Sequence, residues 1–155
     1  MNNRTSQWID QKLWRNIVIN MPIVSVDLVV KTNQGILLGK RANKPAKGKW
    51  FVPGGRLKKN ECITDAIHRI AETEIDIDVE IIKNIGVYEH FYDESDIDDS
   101  ISKHYIAHAF IVESNNQNFN KDFQHDEFKF YPKVNNNIHD YTKEYIKVGE
   151  SIGLI

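Results

Sequence analysis

The chain has 155 residues, 41% of them hydrophobic, which is enough to bury one core and too few to indicate two. Its formal net charge of -2 excludes a broad positive field for holding nucleic acid or an anionic membrane. One cysteine, Cys62, cannot form an intrachain disulfide, and no apolar signal or membrane-length segment is present, so we expect a single cytoplasmic domain over residues 1–155.

The first third of the chain is predicted to form a helix and a β-hairpin. Apolar spacing predicts a helix over roughly residues 5–20, stopped by Pro22, that packs against the body or a second subunit. Residues 23–31 (IVSVDLVVK) are strand-like, and the turn at 33–35 returns the chain as a second strand, ILLGKR. A short apolar run at 50–52 then leads into a Pro-Gly-Gly turn at 53–55.

A central amphipathic helix is predicted from about Cys62, with Asn60 as its N-cap. Its apolar stripe comprises Ile63, Ala66, Ile67, Ile70 and Ala71. Glu74 continues this stripe, so we predict that its carboxylate faces the packed side, where an unpaired charge is costly. The Glu74 carboxylate could be satisfied in three ways: by a bound cation, by Arg69 or by a backbone amide.

The second half of the chain is mostly β-like. Residues 79–92 are predicted to be a strand in which Gly86 marks a bulge or a close backbone approach. The acidic segment 93–100 has the composition of a solvated loop or of a loop at a dimer edge. Strands are predicted at 104–112 and at 128–131 (FKFY). A last helix is predicted near 138–148. Strands around one central helix, without alternating βαβ units, predict an α/β domain with a mixed sheet.

The central helix and the turn before it carry a recognisable spacing. Gly55, Glu61, Arg69 and Glu74 are separated as in the skeleton of the Nudix box, so the chain resembles the Nudix hydrolases. The resemblance implies the Nudix fold, a mixed β-sheet sandwiched between helices.

The chain departs from the full Nudix box at three positions. The box continues Arg-Glu-apolar-any-Glu-Glu-any-Gly-apolar, whereas this sequence has Ile70 and Thr73 in place of two glutamates and Asp76 in place of the glycine. In Nudix enzymes that attack phosphorus, those carboxylates help to gather several divalent ions. The resemblance therefore implies that this chain binds fewer divalent ions than those enzymes do.

Beyond the box, the chain is similar to the GDP-mannose mannosyl hydrolase branch of the family. The resemblance covers roughly residues 20–131, and the stretch 49–59 is especially specific. The shared segments are PIVSVDLVV, LLGKRANKPAKGKWFVPGGR, GVYEHFYD, KHYIAHAF and QHDEFKF. Enzymes of this branch release GDP and an inverted hexose by substitution at the anomeric carbon, use one Mg²⁺ and form homodimers.

Carried over position by position, the resemblance implies a set of site residues. The Mg²⁺ ligands are the Gly54 carbonyl, Glu74 and Gln124, all hard oxygen donors. The general base is His125, whose neutral imidazole has a pKa close to working pH. The diphosphate and sugar are contacted by Arg41, Arg56, Tyr105, Asp27 and His90.

Two other functions remain open at this point. A diphosphate bound to Mg²⁺ and two guanidinium groups leaves readily without a protonating acid, so one base suffices for attack on carbon. A pyrophosphohydrolase that attacks phosphorus is the first alternative. A non-catalytic protein that binds a nucleotide sugar is the second.

Overall fold

The computed structural model describes residues 8–114 and 127–155, which form three helices and one seven-stranded sheet. The helices are α1 (Gln11–Asn20), α2 (Ile63–Ile75) and α3 (Asp140–Ser151). The strands are β1 (Ile23–Thr32), β2 (Gly35–Lys40), β3 (Trp50–Phe51), β4 (Gly54–Arg56), β5 (Val79–Tyr92), β6 (Lys103–Ser114) and β7 (Phe128–Tyr131). No helix within these ranges is long and apolar enough to cross a membrane.

The sheet is mixed, as the sequence predicts. Its main order is β3-β2-β1-β6-β5, with β4 paired to β1 and β7 paired to β2. Strands β1 and β6 run parallel, and the other pairs are antiparallel. The pairing of β1 with β4 sets Asp27 opposite Gly54, and that of β5 with β6 sets His90 opposite Tyr105.

Helices pack on both faces of β1, so the predicted sandwich is confirmed. Val26 and Leu28 belong to a buried cluster that includes α2 residues such as Ile67. Val29 belongs to a second cluster with Tyr145 of α3. Because neighbouring strand residues point to opposite faces, the odd-numbered residues of β1 face α3. Asp27 lies on this face and is buried, with 7% of its surface exposed.

The helix starts differ from the predicted ones for local reasons. Helix α1 begins at Gln11 because Asp10 caps it, accepting a 2.9 Å hydrogen bond from the Leu13 amide. Asn60 is not the cap of α2. It lies in a turn with a left-handed φ of 63°, a conformation that asparagine tolerates, and Cys62 holds the N-cap position. Helix α3 begins at Asp140, after His139 as its cap.

In the loops and short strands, two features differ from the prediction and one confirms it. The Gly-Gly-Arg segment forms the short strand β4, which glycine's low strand propensity concealed. Gly86 does mark a bulge, with a φ of 118° beside a register shift between β5 and β6. The acidic segment 93–100 is anchored rather than merely solvated, because Asp96 pairs with Lys103 at 2.6 Å.

Candidate active site

Six of the predicted site residues line one cavity of about 200 Å³, whose wall also includes Trp14 of α1. They are Asp27, Gly54, Arg41, Arg56, His90 and Tyr105. Strand pairing explains the assembly, because β4 and β6 flank β1, and β5 follows β6. Four strands and one loop, distant in sequence, thus bring their polar residues to one place.

A second cavity, of about 230 Å³, adjoins the first and contains Glu74 in its wall. Four residues line both cavities, namely Arg41, Phe51, Val52 and Gly54. The two spaces therefore meet at Arg41 and Gly54. Together they form a cleft, with Asp27 and His90 in the wall of the first cavity and Glu74 in the wall of the second.

Glu74 does not face the packed side of α2, and that prediction is wrong. Ala66, Ile67, Ile70 and Ala71 are buried as expected, but Glu74 is exposed. The buried stripe continues from Ala71 to Ile75, which is 1% exposed, so the last turn stays packed and Glu74 lies beside the stripe in the wall of the second cavity. Burial therefore does not force this charge to find a cation. The predicted role of Glu74 in metal binding is supported instead by its position in the same cavity wall as Gly54.

Asp27 is held on both sides of its carboxylate. Its Oδ2 accepts a 2.7 Å hydrogen bond from the Tyr145 hydroxyl. Its Oδ1 lies so close to Gly54 that a Cβ at that position would collide with it. Burial raises the pKa of Asp27 to about 6, against the lowering effects of the Tyr145 hydrogen bond and the charge of Arg41. Glycine at position 54 is thus required for the approach of β4 to Asp27.

His90 is neutral and rigidly held. It is 3% exposed, and its ring stacks on Tyr141 with centroids 3.8 Å apart. Its Nε2 lies 3.1 Å from the Tyr145 hydroxyl. Burial lowers the pKa of His90 to about 4, so the imidazole is uncharged at neutral pH. Sequence reasoning missed Tyr141 and Tyr145, although their spacing of four residues places both on one face of α3.

The two predicted phosphate-binding arginines are each positioned by neighbouring groups. Arg41 donates from Nε to the Pro45 carbonyl at 2.7 Å, and its guanidinium lies 6.0 Å from the Phe51 ring centroid. The guanidinium of Arg56 lies 5.6 Å from the Trp14 ring centroid. Such contacts restrict a guanidinium while leaving its charge in the cleft.

Trp14 of α1 is a cavity residue that the sequence analysis missed. Its ring is near two cations, the guanidinium of Arg56 and the ammonium of Lys103, which is 5.3 Å from the ring centroid. Lys103 is 6% exposed and bonds to Asp96 of the acidic segment. Lys44, close to Arg41 in sequence, bonds to Asp99 of the same segment. The acidic segment is therefore held by ion pairs to two lysines that adjoin lining residues of the first cavity.

Two residues of the Nudix-box spacing support the site from outside the cavities. Arg69 donates from Nε to Glu61 Oε1 at 2.6 Å and from Nη2 to the Arg56 carbonyl at 2.9 Å. Glu61 also accepts a 2.9 Å hydrogen bond from the Lys58 amide. The Arg69–Glu61 pair therefore stabilises the loop that connects β4 to α2.

The oxygen donors of the cleft fit a single hard cation. Glu74 and Gly54 line the same cavity, and carboxylate and carbonyl oxygens suit Mg²⁺. Within residues 8–114 and 127–155, no group of three or more His, Cys, Asp or Glu side chains could hold a metal. Gln124 and His125 lie outside the described residues.

A family model described as the NUDIX domain matches residues 21–147. The chain is a Nudix hydrolase. Because it belongs to this family, the chain is an enzyme. Members of the family act on small nucleotide derivatives and generally use a divalent metal such as Mg²⁺.

Curated proteins similar to this Nudix hydrolase differ in their described roles. It is 47% identical over 133 residues to the low-salt glycan biosynthesis protein Agl8 of Haloferax volcanii, covering 86% of this chain and 85% of that protein. It is 32% identical over 92 residues to an ADP-ribose pyrophosphatase of Methanocaldococcus jannaschii. That second match covers 59% of this chain and 51% of the pyrophosphatase.

A solved structure confirms the fold of this Nudix hydrolase. A Nudix hydrolase from Nitrosomonas europaea superposes with a TM-score of 0.65 at 14% identity. The match covers 84% of this chain and 89% of that chain. Likeness at such low identity shows the Nudix fold alone.

Proposed function

We propose that this Nudix hydrolase cleaves a GDP-hexose, with GDP-mannose as the first candidate and GDP-glucose as the second. Water attacks the anomeric carbon, a bond forms between them, and the bond from that carbon to the diphosphate oxygen breaks. The electron pair leaves with GDP, and the hexose is released with inverted configuration. One Mg²⁺ per subunit, a homodimer and a cytoplasmic location complete the proposal by family resemblance.

The observation that carries this proposal is the meeting of two cavities at Arg41 and Gly54. A diphosphate at that junction lies within the field of Arg41 and Arg56, which stabilise the negative charge that develops as it leaves. The hexose then occupies the end of the cleft lined by Asp27 and His90. Tyr105, also in this wall, supplies a hydroxyl to the leaving group.

The scarcity of carboxylates in the cleft favours attack on carbon. Among the described residues that line the two cavities, the acids are Asp27 and Glu74. Glu61, which belongs to the box, is engaged by Arg69 instead. Mg²⁺ held by Gly54, Glu74 and Gln124 would supply charge neutralisation to the diphosphate. The chain would then need only His125 as the base that accepts the proton of the attacking water.

The relative from Haloferax volcanii supports a sugar nucleotide as the substrate class, because its name places it in glycan biosynthesis. The ADP-ribose pyrophosphatase favours a second candidate, hydrolysis between the two phosphorus atoms of a nucleoside diphosphate derivative. The two reactions break different bonds of the same kind of substrate. They are therefore separable by following the oxygen of water.

Hydrolysis of GDP-mannose in ¹⁸O-labelled water with Mg²⁺ tests the proposal. We expect the label in the free hexose, none in the nucleotide, and a first-formed anomer opposite to that of the substrate. Label in a mononucleotide or a sugar phosphate would establish the pyrophosphohydrolase instead. Tight binding without turnover across a panel of nucleotide sugars would indicate a non-catalytic binding protein. An EDTA-treated sample is the control for metal dependence.

A further inference from the structure

Three polar side chains form a buried chain of hydrogen bonds behind the first cavity. The Tyr145 hydroxyl donates to Asp27 Oδ2 at 2.7 Å and lies 3.1 Å from His90 Nε2. All three residues are buried, and Tyr145 is fully so. Asp27 and His90 line the cavity, whereas Tyr145 stands behind them on α3.

The single proton of the phenol determines the direction of this chain. Because Tyr145 gives its proton to Asp27, the phenol oxygen is free to act only as an acceptor toward His90. His90 must therefore carry its ring proton on Nε2 and donate it to Tyr145. The resulting order is His90 to Tyr145 to Asp27, and it fixes one tautomer of a neutral imidazole.

This arrangement leaves the two oxygens of Asp27 unequal. Oδ2 is occupied by Tyr145, while Oδ1 packs against Gly54 at the junction of the two cavities. A carboxylate free to rotate would present either oxygen to the cavity. The hydrogen bond from Tyr145 prevents that rotation, and the stacking of His90 on Tyr141 holds the other end of the chain.

We propose that Tyr145 is a positioning residue that holds Asp27 as a directed acceptor for a hydroxyl of the hexose. The inference rests on the proposed function, since it assumes that the hexose occupies this end of the cleft. Tyr145 itself need not touch the substrate. Its removal would loosen Asp27 and weaken recognition of the sugar while leaving the binding of the nucleoside diphosphate intact.

A binding comparison tests this inference without relying on turnover. The first ligand is a GDP-mannose analogue that cannot be hydrolysed, because carbon replaces both the glycosidic oxygen and the oxygen between the phosphates. The second ligand is the matching GDP analogue without the hexose. Calorimetry with Mg²⁺ measures how much the hexose adds to affinity. We expect Tyr145→Phe to reduce affinity for the hexose-bearing analogue about tenfold, as loss of one hydrogen bond to a charged group implies. Affinity for the GDP analogue should stay within about twofold.

Tyr88→Phe is the matched control. The Tyr88 ring packs edge-on against Tyr145 with centroids 4.9 Å apart, but its hydroxyl bonds to the Ile85 carbonyl. This variant should leave both affinities unchanged. An Asp27→Asn background provides a second check, because adding Tyr145→Phe there should cost no further hexose affinity.

The tautomer of His90 provides a measurement on the unaltered protein, which is available even if Tyr145→Phe does not fold. Nitrogen-15 NMR of the imidazole should show the proton on Nε2. A proton on Nδ1, equal losses for both ligands, or an unchanged hexose contribution would each overturn the inference.

Failure of the inference and failure of the proposed function give different results. Oxygen label in the hexose together with an unchanged hexose contribution in Tyr145→Phe would overturn only the role of Tyr145. Label in a phosphate product together with a reduced hexose contribution would overturn only the reaction. The two experiments thus test separate statements about the same cleft.

Discussion

Arg69 and Glu61 are joined by two hydrogen bonds, at 2.6 Å from Nε and at 2.9 Å from Nη2. The same Nη2 also bonds to the carbonyl of Arg56, at 2.9 Å. The Glu61 side chain is only 11% exposed, so the pair is shielded from solvent. These two residues of the Nudix-box spacing therefore act on the backbone that carries Arg56, and not on the substrate directly.

Replacing Glu61 by glutamine should lower the free energy of unfolding by about 1–3 kcal/mol at pH 7, because a partly buried, hydrogen-bonded charge pair is broken. Hydrogen bonding from Arg69 lowers the pKa of Glu61 below its ordinary value of 4.5. A lowered pKa means that this stabilisation is complete above pH 4.5 and is lost as the pH falls through the folded-state pKa. Denaturant unfolding from pH 7 downward measures the effect.

The control for this prediction is Glu72→Gln on the exposed side of α2. It should change the free energy of unfolding by less than about 0.5 kcal/mol at every pH. A difference between wild type and Glu61→Gln that persists unchanged in acid would contradict the electrostatic explanation.

Substitutions of Arg41 and Arg56 should show how much the charge and how much the planar shape of a guanidinium contribute to GDP binding. Arg56→Gln removes a charge from the first cavity and should weaken GDP binding by at least about tenfold, measured by calorimetry with Mg²⁺. Arg41→Lys keeps the charge but loses the planar guanidinium that bonds to the Pro45 carbonyl, so an intermediate loss is expected. Arg15→Gln, on the exposed side of α1, should have no effect. Unaltered GDP affinity in Arg56→Gln would mean that the diphosphate binds elsewhere.

Glu74→Gln should weaken Mn²⁺ binding, measured by electron paramagnetic resonance, by more than about tenfold. Glutamine is a poorer ligand for a hard cation than a carboxylate. Glu72→Gln is again the matched control, since it removes the same charge from the same helix away from both cavities. Equal metal affinity in the two variants would remove Glu74 from the ligand set.

His125→Leu should reduce kcat by about 10²–10⁴-fold while changing the affinity for substrate far less, as expected of a general base. Steady-state kinetics and calorimetry in parallel distinguish the two effects. His68→Leu, on the exposed side of α2, is the control. If kcat and affinity fell by the same factor, His125 would be a binding residue and not the base.

Much of the fold was accessible from the sequence because periodicity is local. Alternating and helical spacing located β1, β5, β6, β7 and the three helices, and the spacing around Arg69 identified the family. Boundaries were less accurate, since caps such as Asp10 and Cys62 compete with other polar residues nearby. Strand β4 escaped prediction because its two glycines form a strand only when β1 supplies the pairing partner.

The site was predicted in part for a similar reason. Resemblance indicated residues that line the cleft, among them Arg41, Asp27 and His90, and the structure brings these together. The burial assigned to Glu74 was wrong, because the stripe ends on Ile75 and the spacing alone does not show which of two adjacent residues at its edge is covered. Trp14 was missed because its contacts depend on how α1 lies against β6.

The sequence by itself determined the helices, most strands and the family, since each depends on residues a few positions apart. Only the tertiary structure decided that Tyr145 meets Asp27 from 118 residues away and that the acidic segment bonds to Lys44 and Lys103. Such contacts depend on which helix face packs against which strand face. That choice is made by the burial of apolar surface over the whole chain, and no local pattern records it.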